Sequence, residues 1–214
     1  MATENPVPAP VLRCAERAIQ GVLDRYRPNV VAWDTETTGL RGAVIQAAAV
    51  ELTAKGDLVN TMNGIIAPPP NVPLERGAVA VHGIDRKRIK HEAVEAVPFL
   101  RGLVEYLQES SKSGKRVVAH NSSFDVGRLN DTLVWHSMPQ RLDGDDCFCT
   151  MRAAKRHCGL QTRTGQPKNP KNEELFRILT GKEASEEFGE LHDATADALV
   201  TATSFNEGRR RRWW

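Results

Sequence analysis

The stretch that decides the fold is Asp34-Thr35-Glu36-Thr37-Thr38-Gly39-Leu40, which directly follows an apolar, β-branched run at residues 29–33. Such a run predicts a β-strand. Because side chains alternate between the two faces of a strand, Asp34 and Glu36 are expected to point the same way. Two carboxylates so placed repel each other unless a cation lies between them, and their oxygens suit Mg²⁺ or Mn²⁺. Taken alone, the pair fits a metal site and a plain strand-to-turn boundary equally well.

The residues that follow predict an antiparallel sheet around this strand. Residues 43–52 are almost wholly apolar and predict a buried central strand. Residues 58–67 return as a third strand after the turn at Gly56-Asp57. Three strands joined by short turns form an antiparallel meander.

The second half of the chain alternates strands with helices. Further strands are predicted over residues 116–120 and 147–151, and helices over residues 72–81, 94–107, 124–135, 152–158, 173–179 and 192–205. Residues 161–171 are polar and contain two prolines, which predicts a mobile loop. A meander followed by this alternation indicates an α/β domain, with a mixed five-stranded sheet of antiparallel then parallel strands flanked by helices.

Length and composition predict one soluble globular domain with short extensions. The 214 residues suffice for one buried core, and 40% hydrophobic with 26% charged residues is ordinary for such a domain. We expect an N-terminal extension with an amphipathic helix at residues 1–27, a main domain at 28–207 and a tail at 208–214. No run reaches transmembrane length and the N-terminus lacks the features of a signal peptide. We therefore expect an intracellular protein, cytoplasmic or nuclear, with no membrane partner.

Basic residues are clustered although the net charge is only +2. The clusters lie at residues 86–88, 155–171 and 209–212. They fit contact with a nucleic-acid backbone, a solvated tail or, for the last cluster, a nuclear import signal. Trp213 or Trp214 after that cluster offers a ring on which a base can stack.

The four cysteines do not form a disulfide framework in a chain of this length. Free thiols in a reducing compartment are the expected state. Cys147 and Cys149 can be drawn with His157 and Cys158 as a zinc site, but their spacing matches no usual zinc pattern. We therefore expect no zinc.

Two further acids stand where ligands are often held. Asp125 follows the strand predicted at residues 116–120, and although the dipole of the next helix explains an acid there, ligands of α/β sheets bind at such strand ends. His192 and Asp197 would not share a face of one continuous helix, so His192 is expected in the entering loop with Asp193 as N-cap. Asp197 is flanked by alanines, and an acid on a packed surface is costly unless it is paired or binds metal.

Three segments together resemble the motifs of the DEDDh 3′→5′ exonucleases, the DnaQ-like group that includes the proofreading epsilon subunit of bacterial DNA polymerase III. They are Asp-Thr-Glu-Thr-Thr-Gly-Leu at 34–40, His-Asn-Ser-Ser-Phe-Asp at 120–125 and His-Asp-Ala-Thr-Ala-Asp at 192–197. The resemblance covers about residues 28–207, with the motifs in family order. It implies a ribonuclease H-like fold, metal carboxylates at Asp34, Glu36, Asp125 and Asp197, and His192 as general base.

The resemblance also implies an activity, a cofactor and a partner. The expected reaction releases 5′-nucleoside monophosphates from the 3′ end of a single-stranded nucleic acid, DNA in preference to RNA, with two Mg²⁺ or Mn²⁺ ions. By the same resemblance, Leu40 would wedge between the last two bases. The pocket of the terminal nucleotide would be lined by Thr37, Thr38, His82, Asn121 and Phe124. Ordinary core packing is the alternative for Leu40 and Phe124.

Three rival interpretations remain open at this stage. One is an RNA-trimming enzyme similar to RNase T or oligoribonuclease, because discrimination between DNA and RNA rests on contacts to the 2′-OH. Another is a non-catalytic nucleic-acid-binding module of the same fold, such as a polymerase accessory subunit. The third is a partner protein that docks through the N-terminal amphipathic helix. Association with a polymerase or with a second copy is compatible with each of them.

Overall fold

The computed structural model describes residues 27–189 and 191–214, so the predicted N-terminal helix lies outside the described residues. The strands are β1 (Val30–Thr37), β2 (Val44–Leu52), β3 (Leu58–Ile66), β4 (Ala93–Val94), β5 (Arg116–Ala119) and β6 (Phe148–Cys149). They form one sheet in the order β4-β3-β2-β1-β5-β6. The first three strands pair antiparallel, as predicted, while β5 pairs parallel to β1 and β6 parallel to β5.

The sheet has six strands, so the expected number of five is wrong by one. The additional strand is β4, which pairs parallel to the end of β3 through Ile65 and Ala93. Two residues are too few to show an alternating pattern, so the sequence gave no sign of this strand. The helix expected from residue 94 begins at Ala96 instead.

The helices are α1 (Arg76–His82), α2 (Arg86–Glu92), α3 (Ala96–Lys112), α4 (Ser122–Trp135), α5 (Thr150–Ala154), α6 (Asn172–Thr180), α7 (Ala184–Phe188) and α8 (Ala194–Arg210), with a 3₁₀ turn at Gly144–Asp146. Helices α2 and α7 were not predicted, because α2 is mostly charged and α7 has only five residues. The helix expected at 152–158 starts earlier and ends at Ala154. None of the helices in the described ranges combines the length and apolar character needed to cross a membrane.

The two faces of β1 pack against different helices. Val31 and Trp33 are fully buried in a cluster with side chains of α3 and α4. Val30 and Ala32 point the other way, toward Ala198 and other small residues of α8. Asp34 and Glu36 continue the side of Val30 and Ala32, since side chains alternate along a strand. The last helix therefore lies on the face of the sheet that carries the acid pair.

Helix α8 ends in a packed C-terminal segment. The indole of Trp214 stacks on Phe205 at 5.8 Å between ring centroids and donates a hydrogen bond to the carbonyl oxygen of Phe205 at 3.0 Å. Trp213 stacks on His157 at 5.0 Å. The helix continues through residue 208, where the tail was expected to begin, and both tryptophans contact the domain. The two tryptophans thus pack on the domain, while Arg211 and Arg212 are exposed.

Candidate active site

Three carboxylates meet at the edge of the sheet where β1 ends. Asp34 and Glu36 point to the same side, and one oxygen of each lies within 4.8 Å of the other and of an Asp197 oxygen. Oxygens bound to one hard divalent cation at about 2.0–2.6 Å, the range from Mg²⁺ to Ca²⁺, cannot be more than about 5 Å apart. The spacing and the all-oxygen donor set therefore fit a hard divalent cation.

Asp125 reaches the same cleft from the first turn of α4. Asn121, with a left-handed φ of 66°, turns the chain between β5 and α4, a conformation that asparagine adopts more readily than most residues. The hydroxyl of Thr35 donates a hydrogen bond to Asp125 at 2.8 Å, and Asp125 is only 2% exposed. The cleft, of about 250 Å³, is lined by Asp34, Thr35, Glu36, His120, Phe124, Asp125, Asn172, His192 and Asp197. The four predicted metal carboxylates and the predicted base are thus brought together.

The electrostatics of this cleft are unbalanced. Burial, then the charges of Asp125, Asp197 and Glu36, raises the pKa of Asp34 well above its ordinary value. Burial and the charges of Asp197 and Asp125 raise the pKa of Glu36 to about 8. Burial raises the pKa of Asp125 to about 7 and also raises that of Asp197. No lysine or arginine in the described ranges forms an ion pair with these acids. A bound cation would supply the missing positive charge.

His192 lies in the loop that enters α8, as predicted. It has a left-handed φ of 66°, and its backbone N–H donates to Asp197 at 2.8 Å. Its side chain is exposed and borders the cleft. Asp193 is the N-cap of α8, where it accepts a hydrogen bond from the backbone N–H of Thr195 at 2.9 Å. The main chain is therefore fixed beside the carboxylates while the imidazole is free to meet a substrate.

Two side chains that the sequence interpretation missed hold α8 in place. Gln46 is fully buried in β2, donates to Asp193 at 2.8 Å and accepts from the backbone N–H of Ala194 at 3.3 Å. Asn172, the first residue of α6, donates to the Asp197 carboxylate at 3.3 Å and to its carbonyl oxygen at 3.1 Å. Gln46 is, with Glu51, one of two polar residues in an otherwise apolar strand, which is the signal that could have revealed it.

His120 begins the second motif, at residues 120–125, but was assigned no role from the sequence. Its Nε2 is 3.0 Å from the carbonyl oxygen of Pro170, which can only accept, so Nε2 carries the proton. Its Nδ1 is 3.0 Å from the hydroxyl of Thr150. Burial lowers the pKa of His120 to about 4, so the ring is neutral at physiological pH. Because both nitrogens are engaged, His120 is a poor candidate for the general base compared with His192.

An apolar pocket of about 400 Å³ adjoins the carboxylate cleft and shares Thr35, Glu36 and Phe124 with it. Leu40 is 82% exposed and Val81 55% exposed at its rim. Exposure of this extent excludes core packing as the explanation for Leu40. Phe124 is half-buried and borders both spaces, so its side chain is also accessible.

The other predicted substrate-binding residues divide into two groups. Thr37 and His82 line the apolar pocket, although His82 is buried and uses both nitrogens. It accepts from the backbone N–H of Ile84 at 3.0 Å, so its Nε2 donates to the carbonyl oxygen of Thr37 at 3.2 Å. Thr38 is fully buried, and its hydroxyl accepts from Ala43 at 3.1 Å. Neither Thr38 nor Asn121 lines the pocket or the cleft.

Comparison with known proteins shows that this chain is similar to exonucleases. The exonuclease family model RNase_T matches residues 31–205. Exodeoxyribonuclease 10 of Escherichia coli (strain K12) is 31% identical over 123 residues, which are 58% of this chain and 46% of that protein. The PolC-type DNA polymerase III of Streptococcus pyogenes serotype M2 (strain MGAS10270) is 31% identical over 121 residues, 55% of this chain and 8% of that protein. The chain thus spans less than half the length of these relatives.

The fold is shared with a solved exonuclease structure. Exonuclease X in complex with 5′-overhanging duplex DNA matches with a TM-score of 0.59 at 22% identity, over 86% of this chain and 93% of that chain. The mixed sheet flanked by helices is the expected ribonuclease H-like fold, with one strand more than predicted.

Proposed function

Since the chain belongs to this exonuclease family, we propose that it is a hydrolase that removes nucleotides one at a time from the 3′ end of a nucleic-acid strand. The observation that supports this most directly is the convergence of Asp34, Glu36 and Asp197 oxygens within 4.8 Å. They lie beside the exposed His192 and the buried Asp125. The set is complete, which favours an enzyme over a non-catalytic binding module.

We assign the four carboxylates to two Mg²⁺ or Mn²⁺ ions. Asp34, Glu36, Asp125 and Asp197 would hold them. Burial and mutual repulsion raise the pKa values of these acids, and a bound cation would offset both effects. When bound, the ions would supply Lewis-acid stabilisation of the charge on the scissile phosphate. Thr35, Asn172 and the backbone N–H of His192 orient the acids through hydrogen bonds.

His192 would act as the general base. A water molecule attacks the terminal phosphodiester, its proton passes to the imidazole, and the O3′ of the preceding nucleotide leaves and is protonated. The products are a 5′-nucleoside monophosphate and a strand that is one nucleotide shorter. An imidazole is suited to this transfer because its unprotonated ring nitrogen offers a lone pair that accepts the proton. The exposed ring on an anchored loop gives it access to that water.

The apolar pocket would receive the terminal base. Thr37, Leu40 and Phe124 would contact it, with the exposed Leu40 inserted between the last two bases. The shape of the pocket would depend on side-chain hydrogen bonds of His82 and Thr38 to backbone atoms, and on the turn at Asn121. A lining with few polar groups favours stacking over reading of base edges, so we expect little sequence preference. DNA is the favoured substrate, because one relative is named an exodeoxyribonuclease and one similar structure holds duplex DNA.

The test is degradation of single strands labelled at either end. DNA and RNA of one sequence are incubated with Mg²⁺ or Mn²⁺ and with EDTA, and wild type is compared with Asp34→Ala. The control is Glu105→Gln, an exposed acid of α3 outside the cleft. We expect metal-dependent shortening from the 3′ end that Asp34→Ala abolishes and Glu105→Gln leaves unchanged. No shortening of either polymer, with binding intact, would refute the enzyme in favour of a binding module, and faster loss of RNA would refute the DNA preference.

A further inference from the structure

One segment of the chain is basic and entirely free of acids. Residues 150–171, here called the basic segment, contain no aspartate or glutamate. Their cations are Arg152, Lys155, Arg156, Arg163, Lys168 and Lys171. Since the whole chain has 29 basic and 27 acidic residues, the remainder is net acidic. The segment therefore carries a local excess of positive charge, as do the shorter clusters at residues 86–88 and 209–212.

Both ends of the basic segment are held at the carboxylate cleft by one side chain. His120, which lines the cleft, contacts the hydroxyl of Thr150 at 3.0 Å and the carbonyl oxygen of Pro170 at 3.0 Å. The next residue but one, Asn172, donates to Asp197. The segment therefore leaves the cleft and returns to it.

Between these ends the chain has a defined shape where a mobile loop was expected. Gln161 and Pro167 pair as a β-bridge, and Lys168 donates its backbone N–H to the carbonyl oxygen of Leu160 at 2.9 Å. Arg163 lies at the tip of this hairpin. His157 stacks on Trp213 nearer the start of the segment. These contacts reduce the entropy that would be lost on binding a ligand.

Several cations of the segment lack an acidic partner. Lys168 pairs with Glu174 at 2.7 Å, and Lys171 lies 3.5 Å from Glu173. Lys155, Arg156 and Arg163 form no ion pair within the described ranges, and the two arginines are exposed. Lys155 and Arg156 adjoin His157, which stacks on Trp213 beyond the far end of α8, so these cations lie along a surface that begins and ends at the cleft. Unpaired cations on such an ordered surface are suited to a polyanion.

We propose that the basic segment binds the sugar–phosphate backbone of the strand whose 3′ end enters the cleft. This rests on the proposed function, since the ligand is the exonuclease substrate. Lys155, Arg156 and Arg163 contact phosphates upstream of the scissile bond, and His120 positions the segment from its base. Phosphate contacts carry no sequence information, so the surface serves DNA and RNA alike. It gives the acidic cleft a means of attracting an anionic strand.

The test compares two sets of three charge removals. One protein carries Lys155→Gln, Arg156→Gln and Arg163→Gln, and the matched control carries Lys55→Gln, Arg101→Gln and Arg116→Gln, which are exposed positions outside the segment. Binding of labelled DNA and RNA strands of about 20 nucleotides is followed by fluorescence anisotropy with EDTA, from about 50 to about 200 mM salt. Loss of three phosphate contacts should lower the slope of log affinity against log salt by about 2 and weaken low-salt binding about tenfold. The control should bind as wild type does.

A second measurement separates this surface from the chemistry. A dinucleotide has no phosphate upstream of the scissile bond, so kcat/KM for its hydrolysis should be unchanged in the segment variant. Loss of affinity for only one polymer would contradict a surface that binds phosphates of DNA and RNA alike. An unchanged salt slope, or an equal loss in the control, would overturn it. If wild type cuts neither polymer nor dinucleotide, the proposed function fails, while the salt slope still decides whether the surface binds strands.

Discussion

The two ends of helix α8 carry opposite charges. The acids at its first turn form no ion pair with a lysine or arginine among the described residues, whereas the arginines at its last turn donate hydrogen bonds. Its first turn brings Asp197 to Asp34 and Glu36, where half-buried carboxylates face one another. Its last turn carries arginines that donate to backbone carbonyl oxygens, Arg209 to Pro28 at 3.0 Å and Arg211 to Leu179 at 2.7 Å. The helix dipole favours acids at the first end and cations at the second, but it cannot offset four clustered acids.

The difference separates residues expected to affect activity from residues expected to affect folding stability. The C-terminal end is closed by hydrogen bonds and by the stacking of Trp214 on Phe205, so it contributes to stability without a ligand. At the N-terminal end the clustered carboxylates repel one another, which the proposed metal ions would offset, and such perturbed acids are characteristic of sites tuned for chemistry. Changes at the first end should therefore alter activity more than stability, and changes at the second should do the reverse.

The largest expected effect is on turnover at the N-terminal end. Replacing His192 by Gln should lower kcat by about a hundredfold or more, because the proton of the attacking water loses its acceptor. The metal concentration for half-maximal activity should not change, since the backbone N–H that meets Asp197 is retained. Steady-state rates across a metal titration provide the measurement, and an equal loss of turnover and metal affinity would contradict the role as base.

The next effect is on stability at the C-terminal end. Trp214→Ala should lower the free energy of unfolding by about 2–3 kcal/mol, somewhat below the cost for a fully buried aromatic residue. Activity per folded molecule should be retained. Denaturant titration and single-strand hydrolysis measure the two quantities. Lost activity without lost stability would show instead that this ring stacks on nucleic acid.

A smaller effect should appear where β2 supports the first turn of α8. Gln46→Leu removes the donor to Asp193 and the acceptor for Ala194, so the carboxylate of Asp197 is held less firmly. The metal concentration for half-maximal activity should rise about tenfold, as for other residues that orient metal ligands. Asn63→Ala is the control, because Asn63 also accepts a hydrogen bond from Gln46, at 3.2 Å, but forms no hydrogen bond with α8 among the described residues. An equal rise in that metal concentration for both variants would contradict a role of Gln46 that depends on α8.

A last effect concerns the pH dependence of stability. The pKa values of Glu36 and Asp125, about 8 and about 7 when folded, exceed their ordinary values of 4.5 and 3.8. The folded protein then binds protons that the unfolded chain releases. The metal-free protein should therefore lose stability as pH rises from about 5 to about 8. Bound Mg²⁺ should remove this loss and raise the melting temperature more at about pH 8 than at about pH 6. Equal shifts at both pH values in scanning calorimetry would argue against a metal at these acids.

The sequence was informative wherever the signal is local. Alternation along a strand placed Asp34 and Glu36 on one side, and the five-residue spacing placed His192 before the helix and Asp193 at its cap. The meander followed from apolar runs and turn residues. Helix α2 was not predicted because nearly all its residues are charged, and strand β4 was not predicted because it has only two residues.

By itself, then, the sequence determined the acid pair on β1, the order of the main elements and the capped start of α8, because propensity and periodicity act between neighbours along the chain. Only the tertiary structure decided how those acids are held. The hydrogen bond from Gln46 to Asp193 joins residues 147 positions apart, and that from Asn172 to Asp197 joins residues 25 apart. It also packed Trp214 on Phe205 and placed the end of the basic segment, at Pro170, against His120. Such contacts depend on which faces meet when the sheet and helices pack, and no local pattern records that.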